Sequence, residues 1–210
     1  ENFIQPEQFP YKTPTGWSYD SGNYPAALQK ALDMIGYDDL RVEQAEKRAR
    51  GELMGIGFST FTEVVGAGPS KHFDILGIKM FDSCEIRVHP TGKVLARIGV
   101  QSQGQGHETT FAQIVAEGLG VPIENIEVVH GDTDRIPFGM GTYGSRSIAV
   151  GGAAIMKAVD KIVTKGRKIA AHLLEAAEGD IEYDKGTFRV AGTDKSVTVG
   201  QVAFAAYVPH

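Results

Sequence analysis

The sequence predicts a mixed α+β fold, and three features of the chain predict it. Short runs in which apolar and polar residues alternate, as in half-buried strands, follow one another with runs of helical spacing between them. Glycine accounts for 26 of the 210 residues, above the usual share of about 7%, and the excess clusters in residues 51–68 and 99–152. A hairpin pattern lies near the C-terminal end. These features indicate short strands and helices joined by tight turns.

The N-terminal part has little regular pattern before its first helix. Residues 1–25 contain four prolines and no sustained period, which predicts an extended segment lying on another surface. Helical spacing predicts one helix from Pro25 to about Ile35 and a second from about Asp38 to Arg50. A strand is expected to follow from Leu53 to about Val65.

Two β-hairpins are predicted farther along the chain. The run Cys84-Glu-Ile-Arg-Val88 alternates, and the turn His89-Pro-Thr-Gly92 would fold it back on a strand over residues 93–100. The second hairpin covers residues 181–190 around Asp184-Lys-Gly186, and a short helix is expected after Ser196.

The first glycine-rich loop, Gln101-Ser-Gln-Gly-Gln-Gly-His107, lies between a predicted strand and a predicted helix from about Glu108 to Leu119. A helix N-terminus carries unpaired backbone N–H groups and the positive end of the helix dipole, and both favour phosphate oxygens. Glycines let a ligand come close to the backbone. The loop therefore predicts a site for a polar or anionic ligand.

A second glycine-rich loop, Gly139-Met-Gly-Thr-Tyr-Gly-Ser-Arg-Ser147, repeats this order of elements. It ends a long irregular connection after a predicted strand at Ile126–Val129, and connections of that length are more often functional than idle. Ser145 and Ser147 are candidates to cap the next helix or to bind phosphate. Two such loops suggest one anionic ligand held from two sides. The inward face of the second helix is predicted to consist of Ile148, Gly152, Ile155, Val159, Ile162, Ile169 and Leu173.

Other roles for these residues stay open on the loops alone. Glycine-rich turns also serve simply to reverse a chain, and neither loop matches the Walker or the dinucleotide-binding fingerprint. Asp132 and Asp134 resemble turn-forming residues more than metal ligands. Arg146 either neutralises a phosphate or pairs with a buried carboxylate such as Asp132 or Asp134.

The composition argues against several classes of protein. The formal net charge is −5 and no Lys/Arg cluster occurs, which predicts no nucleic-acid partner. No apolar run approaches the roughly 18 residues of a membrane span, which predicts no transmembrane segment. No pair of histidines has HExxH spacing, so zinc hydrolysis is not expected. Cys84 is the only cysteine, which excludes an internal disulfide, and its place in a strand predicts a buried, inert thiol.

Several motifs give the chain a resemblance to a known family. The runs Gln103-Gly-Gln-Gly-His-Glu-Thr-Thr110, Gly131-Asp-Thr133 and Gly141-Thr-Tyr-Gly-Ser-Arg-Ser147 follow the order and spacing of the molybdenum hydroxylases of the xanthine oxidase family. Residues 9–17 and 71–78 resemble in particular the large, molybdenum subunits of aerobic carbon monoxide dehydrogenases. The resemblance spans nearly the whole chain and identifies it as an internal fragment of such a subunit.

The resemblance implies a cofactor-binding domain and its ligand. The ligand is molybdopterin cytosine dinucleotide, a pterin that carries molybdenum and has an anionic pyrophosphate. Residues 1–52 are expected to pack on a partial cofactor-binding domain formed by residues 53–210. For His107, the alternative is a helix-start histidine bonded to a local carbonyl. The cofactor-binding residues implied by the resemblance are Gln103, Gly104, Gln105, His107, Thr142, Tyr143, Gly144, Ser145 and Ser147.

The reaction implied is oxidation of carbon monoxide by water to carbon dioxide, with release of two electrons and two protons at a molybdenum and copper centre. The family's copper-binding cysteine lies in a Cys-Ser-Phe-Arg loop that this chain lacks, and no motif for its base glutamate occurs before His210. We therefore expect no catalytic or metal-binding residue here, copper in the parent subunit, and an inactive isolated fragment. The partners implied are a flavin (FAD) subunit and an iron–sulfur [2Fe–2S] subunit, in a homodimer of heterotrimers. The expected location is the cytoplasm, with the inner face of the cell membrane as an alternative.

Three other functions are weighed against this one. The chain could belong to a molybdenum hydroxylase that oxidises aldehydes or purines. It could be a non-enzymatic nucleotide or phosphate binder that has the loops without the chemistry. It could also be a structural module whose glycines serve only packing, in which case substitution of Gln105 or Ser145 would alter stability alone.

Overall fold

The chain forms two compact units, Glu1–Phe61 and Thr62–His210, in a computed structural model that describes residues 2–69 and 79–208. Residues 71–78, one of the stretches that carry the family resemblance, lie outside the described residues.

The N-terminal unit contains both predicted helices. The Asn23 side chain caps the first helix by accepting from the Ala26 N–H at 3.2 Å. Gly36 ends that helix and precedes the second in the left-handed conformation (φ 63°), which glycine adopts without strain. Both helix predictions are confirmed. The elements are β1 (Tyr11–Lys12), β2 (Ser18–Tyr19), α1 (Tyr24–Ile35) and α2 (Tyr37–Ala49).

The predicted strand over residues 53–65 is wrong. This segment makes no strand pairing with any described residue, and the side chain of Leu53 is 96% exposed. A strand needs a neighbour that satisfies its backbone groups, and alternation within a short run says nothing about such a neighbour. The sequence placed the domain division before this segment, after residue 52, whereas the compact units divide after Phe61.

The second unit is built on a three-stranded sheet in the order β3-β4-β5. Strands β3 and β4 form the predicted antiparallel hairpin, with Cys84 opposite Ile98. Strand β5 runs parallel to β4 because helix α3 carries the chain back across the sheet. These elements are β3 (Cys84–Val88), β4 (Val94–Ile98), α3 (His107–Leu119) and β5 (Ile126–Val129).

The core of this unit lies between the sheet, helix α3 and a long helix, α4 (Ala153–Leu174). Strand β4 buries every second residue, as its alternation predicts. Gly118 of α3 allows α4 to pack closely, since a Cβ atom there would lie 2.9 Å from the Val159 side chain. No helix within the described ranges is long and apolar enough to cross a membrane.

The chain enters α4 through a π-helical turn at Ser147–Gly152. Gly152, Ile155 and Val159 are buried as predicted, but Ile148 is 60% exposed, so its place on the inward face is wrong. A π-helical turn has i→i+5 hydrogen bonds, and extrapolating the 3.6-residue period through it misplaces the side chains before it. Such turns occur frequently at functional sites.

The C-terminal hairpin and helix are confirmed. Phe188 of the hairpin is buried against α4 at Gly166, where a Cβ atom would lie 2.5 Å from its ring. Thr198 and Gln201 form a reciprocal capping box at the start of the last helix. The elements are β6 (Ile181–Asp184), β7 (Thr187–Val190), β8 (Ser196–Thr198) and α5 (Val199–Tyr207).

Cys84 is half-buried in β3 and does not behave as a reactive thiol. Burial, followed by the nearby Glu85 carboxylate, raises the pKa of this thiol to about 12. It is therefore protonated at neutral pH, which agrees with the prediction of an inert thiol, although the side chain is not fully enclosed.

Candidate functional site

The two glycine-rich loops lie against each other at one end of the sheet. Gly99, which leads from β4 into the first loop, packs backbone to backbone on Gly139 of the second. A Cβ atom on Gly139 would lie 2.1 Å from the Gly99 carbonyl oxygen, and one on Gly99 would lie 2.6 Å from the Cα atom of Gly139. Only glycine at both positions permits this approach. The structure thus brings together the two loops that the sequence singled out.

Thr142 joins the two loops through its side chain. Its hydroxyl donates to the carbonyl of Gln101 at 2.6 Å, and the Gln101 N–H donates back to Thr142 Oγ1 at 3.2 Å. Because that hydroxyl has one proton, the Ser147 hydroxyl is the donor in the 2.9 Å contact between Ser147 Oγ and Thr142 Oγ1. The Gln103 amide also donates to the Thr142 carbonyl at 3.2 Å. Three of the predicted site residues, Gln103, Thr142 and Ser147, are therefore in one network.

The backbone of both loops has open space in front of it. Gly104, Gly106 and Gly141 have positive φ angles of 100°, 79° and 80°, and no other described residue has an atom within 4 Å of the place where a Cβ would stand. A bound group can therefore approach the peptide N–H groups there. Gly144 differs, since a Cβ on it would lie 2.9 Å from Ala67, which makes it a packing position.

Ser145 has an unusual backbone conformation and an exposed side chain. Its φ of 48° lies in the left-handed region, which is uncommon for a residue other than glycine. Strain of this kind clusters at binding sites and active sites. Neither Ser145 nor Ser147 caps the following helix, because Arg146 occupies the cap position and no side chain bonds the free N–H groups. The capping role considered for these serines is therefore wrong.

In the first loop, the predicted residues Gln105 and His107 have different surroundings. The Gln105 side-chain oxygen accepts from the Gln103 N–H, which leaves its amide nitrogen to donate elsewhere. His107 opens α3, is 7% exposed and packs on Phe111 with ring centroids 4.8 Å apart. Its Nδ1 is buried and has no hydrogen-bond partner within the described part of the chain. Such an orphaned atom is costly and calls for a partner other than the described residues.

His130 is a residue that the sequence did not assign to the site. It follows β5, and its Nε2 donates to Glu108 at 2.8 Å while its Nδ1 accepts from the Ser102 N–H at 3.5 Å. The pKa of Glu108 is lowered, first by the hydrogen bond from its own backbone N–H and then by the His130 ring. His130 thus ties the first loop and the start of α3 to the sheet. Its position directly after a predicted strand was the only local signal.

Arg146 makes a fully buried ion pair. Its Nη1 donates to the Asp82 carboxylate at 2.7 Å, and both side chains are completely enclosed. The same guanidinium donates to the carbonyls of Ala67 at 2.9 Å, Met80 at 2.8 Å and Gly141 at 2.6 Å. Of the two roles considered for Arg146, pairing with a carboxylate is the one observed.

The partner carboxylate predicted for Arg146 is wrong. Asp132 instead accepts from the Asp134 N–H at 3.0 Å, so it forms the turn that its residue type predicted. Asp82 was missed because it lies 64 residues from Arg146, and a local pattern holds no information about a contact at that separation.

The chemistry of the loops fits an anionic cofactor. The first loop has no charged side chain, and the only one in the second is Arg146, which Asp82 neutralises. No side chain in the described part of the chain caps the start of α3 or of the π-helical turn, so the N–H groups there are open to a ligand. Within residues 2–69 and 79–208, no three His, Cys, Asp or Glu side chains come together as a metal site.

Comparison with known proteins identifies the family. Residues 30–209 match the molybdopterin cofactor-binding domain. The chain belongs to this family. The carbon monoxide dehydrogenase large chain of Afipia carboxidovorans is 58% identical over 99% of the chain, and the match covers 26% of that relative.

Two crystal structures extend this finding. A Cu,Mo-CO dehydrogenase in its carbon monoxide reduced state superposes with a TM-score of 0.65 at 58% identity, over 97% of this chain and 26% of that one. A quinoline 2-oxidoreductase from Pseudomonas putida 86 superposes with a TM-score of 0.63 at 38% identity, over the same shares. The molybdopterin cofactor-binding chain described here thus spans about a quarter of the length of these proteins.

Proposed function

We propose that this chain is the cofactor-binding part of the catalytic subunit of an aerobic carbon monoxide dehydrogenase. The complete enzyme would oxidise carbon monoxide with water to carbon dioxide, releasing two electrons and two protons. The observation that carries this proposal is the similarity of almost the whole chain to a carbon monoxide dehydrogenase large chain. The ligand of the two loops would be molybdopterin cytosine dinucleotide.

The first loop would lie along one side of this cofactor. The backbone N–H groups near Gly104 face open space and would donate to phosphate or pterin oxygens. The free amide nitrogen of Gln105 and the side chain of Gln103 would add donors. The buried Nδ1 of His107 would find in the cofactor the partner that it lacks among the described residues.

The second loop would hold the other side of the cofactor. The hydroxyl of Ser145 makes no hydrogen bond to a described residue and would bind a polar oxygen. Thr142 and Ser147 would act mainly by fixing the two loops in register, since their hydroxyls bond each other and Gln101. Gly144 would shape the loop through its packing on Ala67, and Tyr143 would cover the site with its exposed ring.

The cofactor, when bound, would supply the redox chemistry together with copper in the parent subunit. The residues of this chain bind, orient and shield it, a division of labour usual in cofactor enzymes. The copper ligand would lie elsewhere in the parent subunit. Cys84 is not expected in that role, because it lies in strand β3 and outside any Cys-Ser-Phe-Arg sequence.

The proposal includes partner subunits that remove the electrons. A chain with one cysteine has too few thiolates for an iron–sulfur cluster, which usually takes four. A [2Fe–2S] subunit and an FAD subunit would serve this purpose, in a homodimer of heterotrimers located in the cytoplasm.

A second candidate is a molybdenum hydroxylase that acts on aromatic nitrogen heterocycles, aldehydes or purines. The 38% identity to quinoline 2-oxidoreductase favours it, because the loops alone do not distinguish the branches. The identity to the carbon monoxide dehydrogenase is higher, so this other hydroxylase remains the second candidate.

The proposal is tested on the purified full-length protein with its partner subunits. We expect molybdenum, copper and CMP released by acid hydrolysis in equal amounts, together with reduction of a dye that depends on carbon monoxide. Molybdenum and CMP without copper, with dye reduction by quinoline but not by carbon monoxide, would instead establish the second candidate. Absence of molybdenum and CMP would rule out both.

A further inference from the structure

Arg146 stands between Ser145 and Ser147 in the second loop, but its guanidinium is bonded to protein groups. All three nitrogens of its guanidinium donate to protein oxygens, and the side chain is fully buried. A cation that contributes its charge to a phosphate needs at least one nitrogen free to reach it. Arg146 has none free, and Asp82 neutralises it.

Asp82, the partner of Arg146 in this ion pair, also accepts hydrogen bonds from backbone N–H groups. Its Oδ2 accepts from Arg146 and from the Met140 N–H at 3.4 Å, and its Oδ1 accepts from the Ser83 N–H at 2.9 Å. Ser83 in turn accepts through its hydroxyl from the Phe138 N–H at 3.2 Å. The Arg146–Asp82 ion pair is therefore the centre of a set of contacts that spans the second loop.

The opposite edge of the loop is held by backbone contacts. The N–H of Gly66 donates to the Ser145 carbonyl, and the N–H of Ala67 donates to the Gly144 carbonyl, each at 3.2 Å. Arg146 also bonds the Ala67 carbonyl, so the residue that closes the ion pair also fixes this edge. Ser145 is thus kept in its left-handed conformation from both sides.

We infer that Arg146 is a positioning residue, which shapes the second loop for the cofactor through its ion pair with Asp82 and does not bind phosphate itself. This inference rests on the proposed function, because it assumes that the second loop holds the cofactor. Such a residue resembles the residues that hydrogen-bond the ligands of a metal ion and hold them in place. Loss of one of those typically lowers metal affinity or activity about 10- to 100-fold.

The test uses four single variants of the full-length protein: Arg146→Gln, Arg146→Lys, Asp82→Asn and the matched control Arg97→Gln. Arg97 pairs with Glu85 on the sheet, so Arg97→Gln removes an arginine–carboxylate pair without touching the second loop. Molybdenum and CMP per folded subunit are measured, together with the electron paramagnetic resonance spectrum of the reduced molybdenum. That spectrum reports the surroundings of the metal and does not follow stability alone.

Arg146→Gln and Asp82→Asn are expected to lower cofactor occupancy about tenfold and to alter the spectrum of the cofactor that remains. Arg146→Lys keeps the charge but has one nitrogen in place of three, so it should restore occupancy only in part and leave the spectrum altered. Arg97→Gln should match the wild type in both measurements.

Other outcomes overturn the inference. If Asp82→Asn keeps full occupancy while Arg146→Gln loses it, the arginine binds the cofactor directly. If Arg146→Gln does not fold, the test relies on Arg146→Lys. Wild-type cofactor occupancy with an unchanged spectrum in Arg146→Lys would contradict a positioning role. A wild-type protein without molybdenum and CMP would contradict the proposed function itself, which separates that failure from this one.

Discussion

His130 and Glu108 are joined by a hydrogen bond of 2.8 Å between the end of a strand and the start of a helix. The other ring nitrogen of His130 accepts from the Ser102 N–H, which leaves Nε2 to donate to the carboxylate. The pair fixes where the first loop begins and where α3 starts. The glycine-rich residues between Ser102 and Glu108 are thereby held at both ends, although they make few contacts of their own.

Replacement of Glu108 by Gln should make the stability of the protein less dependent on pH. The folded-state pKa of Glu108 is lowered, so the carboxylate contributes stability above its unfolded pKa, and this contribution is lost as the pH falls through the folded value. The difference in Tm between the wild type and E108Q should therefore stay constant between pH 7 and about 5, and shrink as the pH is lowered below about 4.3, the usual pKa of an unfolded Glu. A difference that grows over this range would contradict the assignment. Glu117→Gln, on the same helix, is the control.

Replacement of Thr142 by Val should loosen the junction of the two loops. The substitution keeps the shape but removes the hydroxyl that bonds Gln101 and Ser147, which should cost about 1 kcal/mol of unfolding free energy. Cofactor occupancy should fall as well. Thr193→Val removes a comparable 3.0 Å bond to a carbonyl in the C-terminal hairpin and should leave occupancy unchanged. Equal cofactor occupancy in both variants would show that the Thr142 hydroxyl does not contribute to cofactor binding.

Replacement of Gly139 by Ala should force the loops apart. A methyl group there would lie 2.1 Å from the Gly99 carbonyl oxygen, so the backbone must shift, at a cost of about 1–3 kcal/mol or more. Gly179→Ala is the matched control, because nothing lies within 4 Å of its Cβ position. Denaturant unfolding and molybdenum content measure both effects. Stability of G139A equal to that of G179A would show that the close approach does not exist.

Cys84 should resist alkylation in the folded protein. Its thiol is protonated below about pH 12, and the thiolate is the reactive form. Iodoacetamide at pH 8 followed by peptide mapping should leave Cys84 unmodified until the protein is unfolded. Rapid labelling of the native protein would show that the thiol is accessible and ionised.

The elements that the sequence predicted correctly are those whose signals are local. Helix α1 has its cap at Asn23 and its end at Gly36, and the β3–β4 hairpin has its turn residues between two alternating runs. The glycine-rich loops can also be recognised from the local sequence, because positive φ angles and close backbone approaches require glycine. Their contact with each other follows from the parallel pairing of β4 and β5, which places both strand ends at one edge of the sheet.

The features that the sequence did not predict depend on distant residues or on departures from regular geometry. Residues 53–65 are rich in the β-branched and aromatic residues typical of strands, yet pairing depends on a neighbour that no short run specifies. Ile148 was misplaced because the π-helical turn changes the period. The partner of Arg146 is Asp82, which is distant along the chain although it is in contact in space. The segment around Asp82 has no charge pattern that would mark it.

We propose that the two adjoining loops hold the cofactor between them. A crystal structure of the full-length protein with its cofactor bound tests this most directly. We expect oxygens of the dinucleotide at hydrogen-bond distance, about 2.7–3.2 Å, from backbone N–H groups of residues 104–107 and from residues 142–147. A structure in which the cofactor is fully occupied but contacts neither loop would contradict the claim.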